Sequence, residues 1–461
     1  MIGIGYPILA RSVWMYILHF VVKNISLYGN TFCCPVRTQV SAHRAARIRE
    51  KTDLYSEKDT ERKEKKKMIN TRDFKTKTEF VERANGSLPG LWEVAIDIGY
   101  SSVKVFSPNM VGMFPSYARL EKKDLEIVAA LPDDAILYRD DVTNEVWVVG
   151  ELAQNLIKTS DTSDSEEALF GRERYNNPMF LVLARVGLAS GMRANQYGSY
   201  KPNKHLVVQT GLPEKYLKAD KPLLMDVLVG SHRFSVKFGS GQWESFDFTL
   251  DDGDVFITSQ PKGTFFSVAI QKNGRWIPDV ERYLNSNVII FDPGFGTLDF
   301  FPIRSRVVGA GETFPNLGMR RVFQETVDTI FDKYHTEIPV HALQNYLSTG
   351  NIKIFDRKTI SSKQQPFGDI LEDSNRKVCM EAIHRMLDVI EIQDYDYLVV
   401  TGGTGSAWNE IIRESLSGLD TLTILDGNMS DPSLSCVYSN VRGYFLFRFN
   451  KLRAAAAKVA K

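Results

Sequence analysis

Two Asp-x-Gly segments carry most of the chemistry that can be read in this chain. In each, an apolar run ends in an aspartate, a glycine follows two residues later, and a second apolar run resumes. The first is Asp97-Ile98-Gly99; the second is Asp292-Pro293-Gly294, 195 residues further on. An apolar run that meets Gly and Pro in this way reads as a buried strand entering a tight turn. Glycine lets backbone amides approach an anion without a Cβ in the way. A carboxylate at the strand end suits Mg²⁺, which takes oxygen ligands and keeps several waters. Leu298, Phe300 and Ile303 resume the apolar pattern, so a β-hairpin is predicted rather than a strand–turn–helix. No G-x-x-x-x-G-K-[ST] loop occurs anywhere. Taken singly, either segment could be an ordinary glycine-containing hairpin. Together they predict two similar subdomains facing one another across a nucleotide.

A third segment joins them. Residues 397–400 form a short apolar run that enters Thr401-Gly402-Gly403-Thr404-Gly405, with a helix predicted from Ala407. Such a turn would let a flat base or ribose lie against bare backbone.

In this order the three segments resemble the first phosphate loop, the second phosphate loop and the adenosine loop of the actin-like ATPase superfamily, which also holds the heat-shock chaperones and sugar kinases. Residues 146–153, 209–213, 259–264 and 440–444 narrow the resemblance to the plasmid- and phage-encoded actin-like proteins of bacteria, the ParM/Alp type. It covers roughly residues 90–450. The fold it implies is α/β, the actin-like ATPase fold, with two similar RNase H-like halves around a nucleotide cleft.

The resemblance also implies a site for ATP and Mg²⁺. Asp97 and Asp292 would hold the water shell of the metal from opposite sides. Lys104 matches the family's phosphate-reaching lysine, although a solvated strand lysine reads alike. Backbone around Gly99, Tyr100, Ser101 and Ser102, and around Gly294, Phe295, Gly296 and Thr297, would cradle the phosphates. Gly402, Gly403 and Thr404 would meet the adenosine. Gln260 stands where the family keeps a residue that positions the attacking water; the alternative is an exposed Gln at a strand end. An amide is no strong base, so its role would be orientation. Asp299 lies further from its turn and reads as structural. Pro293, Phe295 and Tyr100 depart from the family's usual small residues, and Pro removes one amide donor. Slow hydrolysis or altered phosphate contacts would follow.

These motifs must be positioned by elements. The chain is long enough for two or more domains with sizeable cores. Met319–Tyr334 has helical spacing with Val322, Phe323, Val327, Ile330 and Phe331 inward. Residues 374–390 form a second such helix, with Val378, Ala382, Ile383, Met386 and Leu387 inward and His384 read as a structural partner. Residues 179–188 read as an apolar helix, 206–209 as a buried strand, and 230–258 as antiparallel strands of a small β-rich subdomain. Residues 69–90 read as a polar approach to the first strand, 160–167 as an acidic solvated loop, and 446–461 as a helix returning to the first half. The expected divisions are 68–287 for the first half, 288–430 for the second and 431–461 for the returning segment.

Residues 1–67 differ from the rest. Their apolar stretch, 13–22, is shorter than the ~20 residues a membrane span needs, and 37–67 is polar and charged, composition expected of disorder. They carry 13 Lys/Arg against 6 Asp/Glu, +7, in a chain whose net charge is +1, so residues 68–461 carry −6. The Lys/Glu run before Met68 could be a purine-rich ribosome-binding site read as protein, making Met68 the native start; the alternative is a genuine basic tail. The four cysteines, Cys33, Cys34, Cys379 and Cys436, form no C-x-x-C pair, which argues against zinc and a disulfide framework and suits a reducing cytosol.

The activity implied is ATP hydrolysis coupled to filament formation, for segregation of plasmid DNA in the cytoplasm. The partners implied are the chain itself and a DNA-binding adaptor of the ParR type. Direct DNA contact is not expected of a body with negative charge, nor is a membrane. Two other classes stay open: a sugar-kinase-like phosphotransferase, for which no sugar-pocket motif is visible, and a non-hydrolysing cytoskeletal scaffold.

Overall fold

The computed structural model describes residues 69–121, 129–156, 171–201, 204–356 and 358–459, all within one compact unit, Met68–Lys461. The basic leader, with Met68, Cys33 and Cys34, and the acidic loop 160–167 lie outside the described residues.

Among its described residues the first half has eleven strands: β1 (Glu79–Glu82), β2 (Leu91–Ile98), β3 (Ser102–Ser107), β4 (Met110–Pro115), β5 (Ala118–Glu121), β6 (Ile136–Asp140), β7 (Val146–Val149), β8 (His205–Leu212), β9 (Gly230–Phe238), β10 (Trp243–Leu250) and β11 (Val255–Ser259). They make two sheets, ordered β1-β4-β3-β2-β8-β11 and β10-β9-β6-β7-β5. In the first sheet β2, β3, β4 and β1 run antiparallel, and β8 and β11 run parallel to β2. The helix Pro178–Met192 lies between the two sheets. It is apolar nearly all round and almost wholly buried, as a helix covered on both sides must be. One expectation fails here. β9 and β10 form the antiparallel pair of the small sheet, but β11 does not join them. The tight turn at Asp251–Asp254 redirects the chain, the Val208 amide donates to the Asp254 carbonyl at 2.8 Å, and β11 runs parallel beside β8. Strand direction leaves no mark on an alternating sequence.

The second half repeats the plan. Its strands are β12 (Val288–Pro293), β13 (Thr297–Arg304), β14 (Val307–Val308), β15 (Glu312–Pro315), β16 (Asn351–Asp356), β17 (Ser361–Pro366), β18 (Tyr397–Val400) and β19 (Thr423–Asp426). The sheet order is β14-β13-β12-β18-β19, with β15 also on β13 and β16–β17 a separate hairpin. An antiparallel hairpin followed by two parallel strands is thus common to both halves: β3-β2-β8-β11 and β13-β12-β18-β19.

The helix Met319–Tyr334 has the bounds expected, but Phe331 is 51% exposed. In Gly368–Val389, His384 and Leu387 are exposed as well, so His384 is no internal partner. Each of Phe331 and Leu387 sits one step past a buried residue, Ile330 or Met386, and one step turns ~100° away from the core. The C-terminal helix begins earlier than expected, at Ser439, and packs on β2, β3 and β8 through Val441, Tyr444 and Phe445. Its buried Arg442 donates to the Ile270 carbonyl at 2.9 Å and pairs with Asp431, which Arg83 also binds at 2.7 Å. No helix among the described residues is long and apolar enough to cross a membrane.

Candidate nucleotide site

β2–β3 and β12–β13 are the two predicted hairpins, built to one geometry. In the first, the Gly99 amide donates to the Ser102 carbonyl at 3.0 Å; in the second, Gly294 donates to Thr297 at 2.7 Å. The Ser116 hydroxyl donates to the Gly99 carbonyl at 2.7 Å, and the Thr404 hydroxyl to the Gly294 carbonyl at 2.8 Å. The amides of the two glycines therefore close their own turns, and Thr404 spends its hydroxyl on the second hairpin.

The two turns meet at a cavity of about 130 Å³. Thirteen of the residues singled out from sequence line it: Asp97, Gly99, Tyr100, Ser101, Lys104, Gln260, Asp292, Gly294, Phe295, Thr297, Gly402, Gly403 and Thr404. Ser102 instead lines an adjoining cavity of about 470 Å³. Gly296 faces the Tyr100 ring, which would stand 3.1 Å from a Cβ placed there. Tyr100 thus bridges from the first turn to the second, which accounts for an aromatic residue in that place. Gln260 directly follows β11, but it is half-buried and opens the helix Gln260–Ala269, so it is not an exposed strand-end residue.

The electrostatics of the hairpins differ. Asp97 faces Lys104 across β2–β3, Oδ2 to Nζ 3.1 Å. Asp292 faces a second carboxylate, Asp299, across β12–β13. Burial pushes Asp292 up to about 7, with Asp299 and Asp97 adding to the rise and the 2.8 Å bond from the Asn440 amide opposing it. Burial pushes Asp299 up to about 6 against bonds from the Thr313 and Thr297 hydroxyls at 2.5 and 2.8 Å. Two carboxylates buried this deeply and set opposite one another, their charge only partly offset by Lys104 and Lys215, form a site suited to a hard cation. Among the described residues no group of three or more His, Cys, Asp or Glu side chains is placed to hold a metal ion.

The helix predicted from Ala407 starts at Gly402, so the glycines are its first turn. Gly402 has φ +77°, and a Cβ there would lie 2.9 Å from Asp292 Oδ1. Only glycine allows both the backbone and the contact.

Sequence reasoning missed several lining residues. Asp299, set aside as structural, lines the cavity while bonding its two threonines. Asn440 binds Asp292, and its motif was visible without a role. Arg174 left no signal. It is 8% exposed, stacks between the Tyr100 and Phe180 rings with its guanidinium carbon 4.7 and 4.6 Å from their centroids, and donates to the Ile98 carbonyl. Tyr444, buried behind the site, presses on Gly211, where a Cβ would be 2.1 Å from its hydroxyl. The Gly of residues 209–213 is thereby explained by packing.

Residues 95–263 match the family described as actin-like proteins, N-terminal domain. A sequence comparison with curated proteins found no match. Among solved structures, the chain is similar to a ParM from a 15-stranded filament of Clostridium botulinum, with 19% identity and TM-score 0.57 over 78% of this chain and 99% of that one. It is similar to the actin-like protein Alp7A, with 14% identity and TM-score 0.53 over 80% and 99%. An archaeal actin homologue in complex with ADP matches at 14% identity and TM-score 0.50, over 80% and 100%. The fold is therefore the actin-like fold. The solved structures that share this fold include ParM and Alp proteins, the kind that its loops resemble.

Proposed function

We propose that this protein is an ATPase that assembles into ATP-dependent filaments and segregates plasmid DNA in the cytoplasm. The observation that carries the reading is the meeting of both aspartate hairpins and the Gly402–Thr404 turn on one cavity, each brought by a different part of an actin-like fold. The ParM filament and the ADP-bound archaeal homologue support filament formation and nucleotide binding respectively.

In this reading Asp97 and Asp292 would hold Mg²⁺ through water, and the ion would supply charge neutralisation at the phosphates. Lys104 adds a point charge to the phosphates. The turns at Tyr100–Ser101 and Phe295–Gly296 bracket the phosphate chain. Gln260 orients the attacking water, positioning being most of what phosphoryl transfer asks of a protein. ATP draws the halves together and favours the filament; hydrolysis weakens it. An adaptor of the ParR type supplies the DNA contact. Sedimentation of the full chain with and without Mg·ATP tests the reading. ATP-dependent pelleting is expected; a chain that stays in the supernatant while transferring phosphate to a sugar would replace it with a kinase.

A further inference from the structure

The geometry points to residues 70–77 as the outer wall of the nucleoside end of the site, a strap that retains a bound nucleoside triphosphate; this rests on the nucleotide reading above. The phosphate-end cavity, about 130 Å³, is too small to enclose a nucleoside as well. The adjoining cavity, about 470 Å³, has the size of a small-molecule pocket and shares Ser101, Phe295, Gly403, Thr404 and Val437 with the first. The two cavities adjoin across these five residues. On the side of the second half the larger cavity is walled by Met319, Gln344 and the start of the helix Gly402–Ser415; on the outer side it is walled by residues 72–77.

Those residues are not the plain polar approach that their sequence reads as. They are tied to both halves. Thr71–Phe74 forms a single 3₁₀ turn whose Phe74 is buried in the core of the second half. The Thr71 hydroxyl donates to the Leu347 carbonyl at 2.7 Å, Arg72 Nε to the Ser348 carbonyl at 2.9 Å, and the Thr76 amide to Gln344 Oε1 at 3.2 Å. Lys75 then pairs with Glu151 of the first half, and β1 adds itself to the edge of the first sheet on β4. A segment fastened at both ends across the wall of a cleft hinders the ligand's exit more than it changes contacts at the phosphates. Its effect belongs in the dissociation rate, where most affinity differences between related complexes lie.

The bonds that fasten the strap go to Leu347, Ser348, Gln344 and Glu151, so they can be removed without cutting a bond to Asp292 or Gln260. The test uses the full chain, the double variant Thr71→Ala/Arg72→Ala, and separately Lys75→Met, which leaves the 3₁₀ turn intact. Release of etheno-ATP is followed by stopped-flow chase with excess ATP in Mg²⁺ buffer, and Mg·pyrophosphate affinity is measured by calorimetry. The expected result is etheno-ATP release about tenfold faster in the double variant and severalfold faster in Lys75→Met, with pyrophosphate affinity unchanged. Unchanged release in both variants would overturn the strap, as would pyrophosphate weakened in proportion, which would mean that the whole cleft had loosened. A wild-type chain that binds neither etheno-ATP nor pyrophosphate would overturn the nucleotide reading itself, and the strap with it.

Discussion

The two hairpins correspond at four positions and part in charge at a fifth. Asp97 answers to Asp292, Gly99 to Gly294, Tyr100 to Phe295 and Ser102 to Thr297, and each turn is closed by the same glycine-to-carbonyl bond. Then the first hairpin has Lys104 where the second has Asp299. One backbone design thus presents a balanced ion pair on one side of the cavity and two buried carboxylates on the other. The shared geometry positions; the differing partner sets charge. The demand for a cation is concentrated on the second hairpin, while the first brings its own.

If that comparison holds, the largest loss comes from the second hairpin. Asp292→Ala is expected to lower phosphate release at least about a hundredfold, comparable to removing a preorganised electrostatic group, while circular dichroism and melting stay near wild type. Normal hydrolysis would remove Asp292 from the site. Lys104→Met should make the first hairpin resemble the second, by leaving Asp97 buried without its cation. A loss of about 3 kcal/mol in stability at pH 8 is expected, together with weaker ATP binding by calorimetry. An unchanged denaturation midpoint would mean that the pair contributes nothing.

A smaller effect is expected of Gln260→Ala. It removes neither a carboxylate nor a phosphate contact, so turnover should fall about tenfold with binding nearly unchanged, the signature of a transition-state interaction. Equal weakening of binding and turnover would make Gln260 a ground-state contact instead. The smallest effect sharpens the comparison through pH. Because Asp299 is raised from 3.8 to about 6, the folded protein holds this proton more tightly than the unfolded chain. Its contribution to stability is complete below 3.8, is lost as pH rises toward about 6, and stays lost above. Asp299→Asn should therefore gain on wild type in melting temperature between pH 4 and 6 and then run parallel to it. A constant difference across that range would deny the carboxylate its raised affinity for the proton.

The hairpins were legible because strand, aspartate and glycine fall within a few residues of one another. So were the helix Met319–Tyr334, with its regular apolar spacing, and the repeated plan of the two halves, through the repeated motif. What could not be read depends on distant partners. Asp299 looks structural until β12 and β13 pair and bring it opposite Asp292. Arg174 sits in an undistinguished polar stretch and gains meaning only from the rings of Tyr100 and Phe180. Gly402 reads as the middle of a loop, yet its positive φ and its contact with Asp292 let a helix start there, five residues before the apolar pattern announces one. The strap shows the same limit: Thr71 and Arg72 bond to carbonyls some 276 residues away, and their own neighbourhood gives no hint of it.

The central claim is that nucleotide in this cleft governs assembly. It is tested most directly by following light scattering and phosphate release together after Mg·ATP is added to the full chain. Scattering is expected to rise at once, phosphate to follow, and scattering to fall as ATP is exhausted. Scattering that ignores nucleotide, or phosphate released with no change in scattering, would contradict it.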